Sequence, residues 1–420
     1  MRKNILYSLF TKSFVAGVNF LILLISSRYL GVSSRGEISI FLLNIALVQV
    51  VNEIYTGYSI VHFVPKFDLK KIVLSGLFYT VMFCTLSNLL ITAVSKHVPG
   101  YEKLAYLVSL MVLLNTFFCV LILSKQNIKL YSLLSFLQPL TLLLGLLFSI
   151  FFLKEFTIKA YILPLFFSFL LALCISAITI VNYVLAEAPG KVFQARPILW
   201  NGLIYQLGLL LYLFINKFSF YLLPTAAKVG LYSAACSLME SVLILASGIG
   251  PVLLARVANE PRSNKNIRLT LGLSKFILLV SLLSVGILLV IPEKAFLVVL
   301  GNGFTGIKTS MSAYAPGVVM AGIFLTLANY LNAMGQQRTV LICYGAGALS
   351  SLILAPVLVA KYDVLGAAYT ANFSYFVITV LMGIAFAFYG NVTAKSLFSP
   401  IEYYADMREL MSGFKRSPNS

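Results

Sequence analysis

Long apolar runs separated by short polar connections dominate this sequence. A hydrocarbon layer of ~30 Å requires about 20 consecutive, predominantly apolar residues in a helix. Twelve stretches meet that requirement: 8–30, 37–63, 72–94, 104–123, 130–152, 160–185, 200–223, 230–255, 269–291, 309–334, 339–359 and 365–389. Backbone groups in lipid must hydrogen-bond within their own segment, and these runs are too long for barrel strands, so we expect helices.

The second predicted span has one polar face. At ~100° per residue, its polar residues fall within one half of the helix, and the opposite half is aliphatic. These polar residues are Asn44, Gln49, Asn52, Glu53, Tyr55, Thr56 and Ser59. Isolated polar residues in a membrane often only bond neighbouring helices. A whole polar face that includes a carboxylate favours a hydrated cavity, because ionisable groups inside a membrane are costly and usually functional.

Narrower polar stripes run along two further spans. The first span carries Ser8, Lys12, Asn19 and Ser26, and the seventh carries Asn201, Tyr205, Gly208, Tyr212, Asn216 and Ser219. Together with the second span they predict a polar path through the membrane. The residues that we expect to line it are Asn19, Asn44, Gln49, Asn52, Glu53, Tyr205, Tyr212 and Asn216.

Composition and charge agree with a polytopic membrane protein. The chain of 420 residues is 60% hydrophobic and 10% charged, with a mean hydropathy of +0.96 and a net charge of +18. When the amino terminus is placed in the cytoplasm, nearly twice as many Lys and Arg residues fall on the cytoplasmic side as on the other. This bias predicts that both termini are cytoplasmic. The positive charge is then a topological signal that also attracts anionic lipid, and nucleic-acid binding is not expected.

Connection lengths predict a transporter with an internal repeat. No connection exceeds roughly 15 residues, which leaves no room for a soluble catalytic domain, so we expect no enzymatic activity. The longest connection, 186–199, divides the chain into a lobe of six helices at 1–185 and another at 200–390, followed by a cytoplasmic tail at 391–420. Repeats of this kind hold their substrate between them near the midplane. We therefore predict an all-α fold of about 12 transmembrane helices in two pseudo-symmetric six-helix lobes around a central cavity.

Several motifs that suggest other chemistry fail on inspection. GNGFTGIKT at 301–309 nearly matches the phosphate-binding loop GxxxxGK[ST], but Ile307 separates Gly306 from Lys308. The sequence also lacks the strand and the soluble domain that this motif requires. The five cysteines are scattered singly, without a CxxC pair or a His at ligand spacing. The sequence predicts no cofactor, no metal site and no catalytic residue.

Several phrases of the sequence resemble a known family. SRYLGVSSRGEISIFLLNIALVQVV is similar to the opening of polysaccharide flippases of the Wzx type, which belong to the multidrug/oligosaccharidyl-lipid/polysaccharide exporter (MOP) superfamily. VGLYSAACSLMESVLILASGIGPVLLARVA is similar to the eighth helix of that family, and LAPVLVAKYDVLGAAYTANFSY to a later span. The resemblance implies a MATE-like fold. One departure is that Asn216 and Lys217 stand where many relatives carry an acidic residue.

The resemblance implies translocation of an undecaprenyl-diphosphate-linked oligosaccharide from the cytoplasmic to the outer leaflet of the bacterial inner membrane. The partners would be the lipid-linked oligosaccharide, membrane lipids and other polysaccharide-assembly proteins. An anionic diphosphate needs a polar, preferably cationic route through hydrocarbon. The alternatives are a multidrug-type cation antiporter of the same superfamily and a membrane-embedded polysaccharide polymerase or ligase.

Four basic residues are candidates for the cationic part of this path: Arg28, Arg35, Lys217 and Lys228. The alternative for each is that its long side chain snorkels to the headgroups. Helical geometry places Arg28 roughly opposite the stripe of Asn19 and Ser26. Arg35 is therefore the better candidate for the mouth of the path.

Overall fold

The computed structural model describes residues 2–94, 98–186, 193–243 and 264–390, together with residues 248, 250, 253, 254, 256 and 257. Within these ranges the chain is almost entirely helical. The helices are α1 (Arg2–Thr56), α2 (Leu69–Val94), α3 (Glu102–Ser124), α4 (Ile128–Phe151), α5 (Lys159–Ala186), α6 (Ala195–Leu222), α7 (Ala226–Glu240), α8 (Asn264–Val290), α9 (Glu293–Leu300), α10 (Ile307–Ala333) and α11 (Gln337–Gly390).

Nine helices in the described part of the chain are long and apolar enough to cross a membrane. Two of them, Phe14–His62 and Gln337–Gly390, contain 49 and 54 residues. At 1.5 Å per residue each would be about 75–80 Å long, which is more than twice the hydrocarbon thickness. Each bends at one residue and therefore contains two of the predicted spans. The chain is a multi-pass membrane protein of about 11–12 helices, as the apolar runs predict.

The connection predicted at 31–36 is not a loop. Helix α1 breaks only at Gly31, where φ is 80° and ψ is 173°, and the helix resumes directly afterwards. A residue with a Cβ is strained in this conformation, so a single glycine replaces the expected loop. Helix α11 bends in the same manner at Asp363, with φ of 57° and ψ of −126°.

Two further segments differ from the prediction. The connection predicted between spans nine and ten contains the short helix α9 and a 3-10 turn at Asn302–Phe304. The eighth predicted span, 230–255, begins as α7 and continues as a 3-10 turn at Ser241–Leu243, and most of its remainder lies outside the described residues.

The chain divides into two compact units. One comprises Met1–Ala234 and Lys294–Thr305, and the other comprises Ala235–Glu293 and Gly306–Ser420. The division into lobes at 1–185 and 200–390 stays a prediction. Residues 187–192 of the predicted linker at 186–199, and the whole predicted tail at 391–420, lie outside the described residues.

Among its described residues, the first unit has three apolar clusters, of which two are large. One joins the first part of α1 and the start of its second part to α3, α4 and α5, and includes Ile38, Leu146 and Ile162. The other joins the end of α1 to α2, α3 and α5, and includes Ile60 and Phe117. Ile38, Phe41 and Ile45 of the second span belong to the first of these clusters, and Tyr55, from its predicted polar face, belongs to the second and bonds Ser75 of α2.

In the second unit, one amide side chain bonds to the interrupted turn of α10. Pro316 lies within this helix and has no backbone N–H. The Gly317 N–H donates to Asn372 Oδ1 at 2.9 Å, and Asn372 Nδ2–H donates to the Ala313 carbonyl at 2.6 Å. In a regular helix the Gly317 N–H would donate to the Ala313 carbonyl, four residues earlier. The Asn372 amide hydrogen-bonds to both of these backbone groups.

Candidate functional site

The second part of α1 and helix α6 run antiparallel and face each other through polar side chains. Tyr221 OH donates to Asn44 Oδ1, and nine residues further along α1 Glu53 contacts Gln206. The contact positions rise along α1 and fall along α6, which defines the antiparallel pairing. Asn44 and Glu53, from the polar face predicted for the second span, therefore lie against the seventh span.

A carboxylate lies between two amides near the end of α1. Gln49 Nε2–H donates to Glu53 Oε1 at 2.7 Å, and Gln206 Nε2–H donates to Glu53 Oε2 at 3.2 Å. We call Gln49, Glu53 and Gln206 the Glu53 cluster. In the described part of the chain, these two neutral amides are the only hydrogen-bond partners of the carboxylate.

The backbone around the Glu53 cluster permits a close approach of α6. Helix α1 ends at Thr56, and a 3-10 turn at Tyr58–His62 follows. A Cβ on Gly57 would lie 2.4 Å from the Glu53 carbonyl oxygen and 2.9 Å from Gln206 Nε2, both closer than side-chain carbons ordinarily come. Glycine at this position therefore leaves room for the backbone of α1 and for the Gln206 amide beside it.

Asn52 lies on the same turn of α1 and is almost fully buried, at 1% exposure. Its Nδ2–H donates to Thr56 Oγ1 at 2.9 Å, and its Oδ1 has no hydrogen-bond partner. Gln206 is 2% exposed, and its Oε1 also has no partner. Buried polar atoms without partners are uncommon and call for an explanation.

The other end of the second span packs tightly against α7. A Cβ on Gly36 would overlap the Ala226 carbonyl, and a Cβ on Gly230 would overlap the Val32 carbonyl. One turn further, Ser39 Oγ–H donates to Ser233 Oγ at 2.8 Å. The start of the second part of α1 and the start of α7 are thus in direct contact.

The two candidate arginines occupy different environments. Arg28 is exposed, and its Nη1–H donates to the Leu297 carbonyl at 3.3 Å, in the last turn of α9. A cation at a helix carboxyl end is favourable, so Arg28 has a structural partner.

Arg35 is only 9% exposed, its Nε has no hydrogen-bond partner, and Tyr161 lies within electrostatic range. The guanidinium of Arg35 is thus enclosed within the first unit.

The candidate lysines are both half-buried. Lys217 Nζ lies 5.1 Å from the centroid of the Phe220 ring, one turn further along α6. A cation over an aromatic face is stabilised by the ring quadrupole. Lys228 lies in the first turn of α7.

The remaining candidates of the polar path differ in exposure. Asn19 is exposed, Tyr205 is 51% exposed, Tyr212 is half-buried, and Asn216 is buried. Tyr205 lies within electrostatic range of Glu53. The structure therefore places Asn44 and Glu53 in contact with α6, with Gln49 bonded to Glu53, and Asn19 lies on the first part of α1.

Sequence reasoning missed three partners: Gln206, Tyr221 and Ser233. Gln206 lies about 100° around α6 from Tyr205, so it falls outside the predicted polar stripe. It is the one amide between Asn201 and Asn216. An antiparallel pairing of spans two and seven would have placed it level with Glu53. Among the described residues, no three His, Cys, Asp or Glu side chains come together as a metal site would need.

No model of a known protein family matches the chain, and no curated protein matches its sequence. Solved structures do match. The lipid II flippase MurJ in an inward closed conformation has a TM-score of 0.71 and 14% identity, covering 99% of this chain and 94% of that chain. An inward-facing multidrug resistance MATE family transporter of the MOP superfamily has a TM-score of 0.68 and 13% identity, covering 90% and 96%.

A third similar structure is a MOP superfamily transporter from Pyrococcus furiosus. Its TM-score is 0.60 at 13% identity, and the match covers 99% of this chain and 97% of that chain. The structural similarity establishes the fold, and sequence identities this low leave the substrate open. The chain has the helical fold that MurJ and the MATE transporters of the MOP superfamily share, which confirms the predicted MATE-like fold.

Proposed function

We propose that this protein is a flippase that moves an undecaprenyl-diphosphate-linked oligosaccharide from the cytoplasmic to the outer leaflet, by alternating access, for cell-surface polysaccharide assembly. It would lie in the bacterial inner membrane with both termini in the cytoplasm, and it would contact membrane lipids and other polysaccharide-assembly proteins. The observation that carries the proposal is the likeness in fold to a lipid flippase over 99% of the chain.

The polar surface between α1 and α6 supports a hydrated substrate. Asn44, Gln49 and Glu53 lie along one side of a membrane-spanning helix, and Tyr205 adds a half-exposed hydroxyl beside them. Sugar hydroxyls both donate and accept hydrogen bonds, so amides, carboxylates and phenols are suitable partners.

The basic residues of this region fit an anionic headgroup. Lys217 lies on α6, four residues before Tyr221, and Lys228 lies in the first turn of α7, and both are half-buried. An ammonium group in this region would favour a phosphate. Arg35 adds positive charge from within the first unit. Arg28 contributes less in this proposal, since its guanidinium bonds to the end of α9. A cationic drug would be repelled by the same charges, which disfavours the antiporter.

Deletion of the gene, followed by analysis of lipid-linked intermediates, tests the proposal. A flippase deletion leaves complete oligosaccharide diphospholipid on the cytoplasmic face. Single units that have already been flipped would instead indicate a polymerase or ligase. Unchanged glycans with altered drug sensitivity would indicate the antiporter.

Lys217→Met in the complemented strain tests the cationic path. The substitution removes the charge and keeps the apolar stem. Loss of one hydrogen bond to a charged group costs about 1.5–3 kcal/mol, which is roughly a ten- to hundredfold loss of flux at limiting substrate. Lys275→Met is the matched control, because Lys275 is also half-buried but lies in α8 of the second unit. Equal export by both variants at equal membrane levels would refute a role of Lys217.

A further inference from the structure

We propose that a cavity between α3, α4 and α5 of the first unit binds a neutral sugar ring. The cavity has a volume of about 170 Å³, and none of its described lining residues belongs to α1 or α6. We call it the α4 cavity. The choice of a sugar among neutral ligands rests on the proposed function. The lining residues that decide what the cavity can bind are Asn115, Thr116, Tyr131, Ser135, Gln138 and Phe169.

One side of the α4 cavity carries an amide donor without an acceptor. Asn115 is only 7% exposed, and its Oδ1 accepts from the Ser176 hydroxyl at 3.4 Å and from the Cys119 thiol at 3.8 Å. Its Nδ2 donates to no group in the described part of the chain. A buried N–H without an acceptor is uncommon and costly. A ligand in the cavity would therefore make a hydrogen bond that the protein itself does not make.

The α4 cavity also offers hydrogen-bond acceptors. Gln138 Nε2–H donates to Ser168 Oγ at 3.3 Å, and no described group donates to Gln138 Oε1. Ser135 and Thr116 each donate their hydroxyl hydrogen to a backbone carbonyl of their own helix. A hydroxyl that already donates keeps its lone pairs for a further donor. The cavity thus presents an amide donor and three oxygen acceptors to whatever it binds.

The chemistry of the lining selects a neutral ligand that carries hydroxyl groups. No Asp, Glu, Lys, Arg or His is found among the described lining residues, so an ion would enter without a counter-charge. A hydroxyl both donates and accepts, which matches the mixed set of partners. The rings of Tyr131 and Phe169 add aromatic surface, whose negative face attracts the C–H groups of a sugar ring.

The size of the α4 cavity fits one ring. A cavity of about 150 Å³ holds a benzene molecule, so this one admits a single six-membered ring whose substituents extend through the opening. Ser135 is the exposed residue of the described lining, and it marks that opening. It lies about 160° around α4 from Leu133, which is 47% exposed on the lipid side. The opening therefore lies on the side of α4 where a hydrated ligand avoids hydrocarbon.

The position of the α4 cavity suits the loading of a glycan. Its lining residues on α4 lie between 131 and 138, and the helix begins at Ile128. At 1.5 Å per residue, Gln138 is about 15 Å from that helix end, which is half of the hydrocarbon thickness. Lys125 and Lys129 flank this end, and the charge bias predicts that it is cytoplasmic. The proposed substrate is loaded from the cytoplasmic leaflet, so one ring of its glycan would reach the cavity.

Binding of methyl glycosides to the purified full-length protein tests the α4 cavity. The protein is kept in a detergent without a sugar headgroup, and glycosides of hexoses and N-acetylhexosamines are titrated. Saturation-transfer difference NMR and the melting temperature report binding. The usual affinity per atom, for a ligand of about 13 heavy atoms, predicts a dissociation constant on the order of 1 mM. We expect at least one glycoside to bind saturably, and glycerol to bind at least tenfold more weakly.

Two pairs of variants locate the binding. S135F fills the cavity from its opening and should weaken binding by at least tenfold, whereas L133F places the same ring on the lipid side of α4 and should bind as the wild type does. Q138L removes an acceptor at similar volume and should weaken binding several-fold. N88L is its control, because Asn88 is a half-buried amide of α2 that bonds only to Cys84 of its own helix. Melting temperatures without ligand show which variants are folded.

Flipping of a lipid-linked oligosaccharide by S135F identifies the source of the ring. Slower flipping by S135F than by L133F would assign the α4 cavity to the glycan of the transported lipid. Equal flipping by both variants, with glycoside binding lost in S135F alone, would assign the cavity to a free sugar. Both outcomes support a sugar-binding cavity.

Three results would overturn the inference. The first is a folded wild-type protein that binds no glycoside at up to about 100 mM, which is roughly a hundredfold above the expected dissociation constant; the cavity would then hold water only. The second is undiminished binding in folded S135F and Q138L. The third is equal affinity for glycerol, which would remove the preference for a ring. Because binding of free glycosides involves no transport, failure of this inference is distinguishable from failure of the flippase proposal.

Discussion

Replacement of Asn372 by leucine tests whether this amide supports α10 at Pro316. The side chain makes two hydrogen bonds to backbone groups of one helical turn, to the Ala313 carbonyl and from the Gly317 N–H. Each buried backbone group that loses its partner costs about 1–3 kcal/mol. Partial closure of the turn would recover some of this, because Ala313 and Gly317 can bond each other. We therefore expect a loss of about 2–4 kcal/mol in the free energy of unfolding.

Titration with a denaturing detergent in mixed micelles measures this loss. Asn201→Leu is the matched control, since Asn201 is exposed and bonds only to the Pro197 carbonyl of its own helix. Surface changes of this kind shift stability by about 0.5 kcal/mol or less. If N372L were as stable as N201L, the turn would close without the amide, and the structural role given to Asn372 would be wrong.

Four further substitutions address the first unit. Gly36→Ala would place a methyl group against the backbone of α7, so it should abolish folding or lower the free energy of unfolding by several kcal/mol. Gly17→Ala is the control, because Gly17 has open space around it, and it should be neutral or add about 0.5–1 kcal/mol through helix propensity. Thermal unfolding compares the two variants. Gly31→Ala meets no neighbour, but φ of 80° with ψ of 173° is a conformation essentially restricted to glycine, so the same assay should show a loss of about 1–3 kcal/mol. Arg28→Gln should lower stability by about 1 kcal/mol or less, by loss of the charge that binds Leu297, with a smaller difference at high salt.

Most spans could be predicted because the length of an apolar run is a local property. The predicted span 104–123 is α3 at Glu102–Ser124, and 130–152 is α4 at Ile128–Phe151. The polar stretch 31–36 predicts a loop, and the structure has a break at Gly31 alone. The sequence does not distinguish the two, because a polar stretch is compatible with a loop and with a turn at a single residue. Helix α9 was missed, since its eight residues are too few for a membrane span.

The role of the candidate residues in a substrate path stays a prediction. The helical period places Gln49 and Glu53 on one face of the second span, and their side chains bond each other in the structure. The partners Gln206 and Tyr221 depend on how α6 is rotated against α1, and the period of α6 alone does not give that rotation. Burial of Arg35 likewise follows from packing within the first unit, which no local pattern reveals.

Flipping by the purified protein tests the central proposal most directly. Liposomes are prepared with an undecaprenyl-diphosphate-linked oligosaccharide in both leaflets, and a glycosidase that cannot cross the membrane is added outside. Protein-free vesicles leave about half of the glycan protected. With the wild-type protein we predict that nearly all of it becomes accessible, and that Lys217→Met slows this while Lys275→Met does not. Protection of half of the glycan in the presence of folded wild-type protein would contradict the assignment as a flippase.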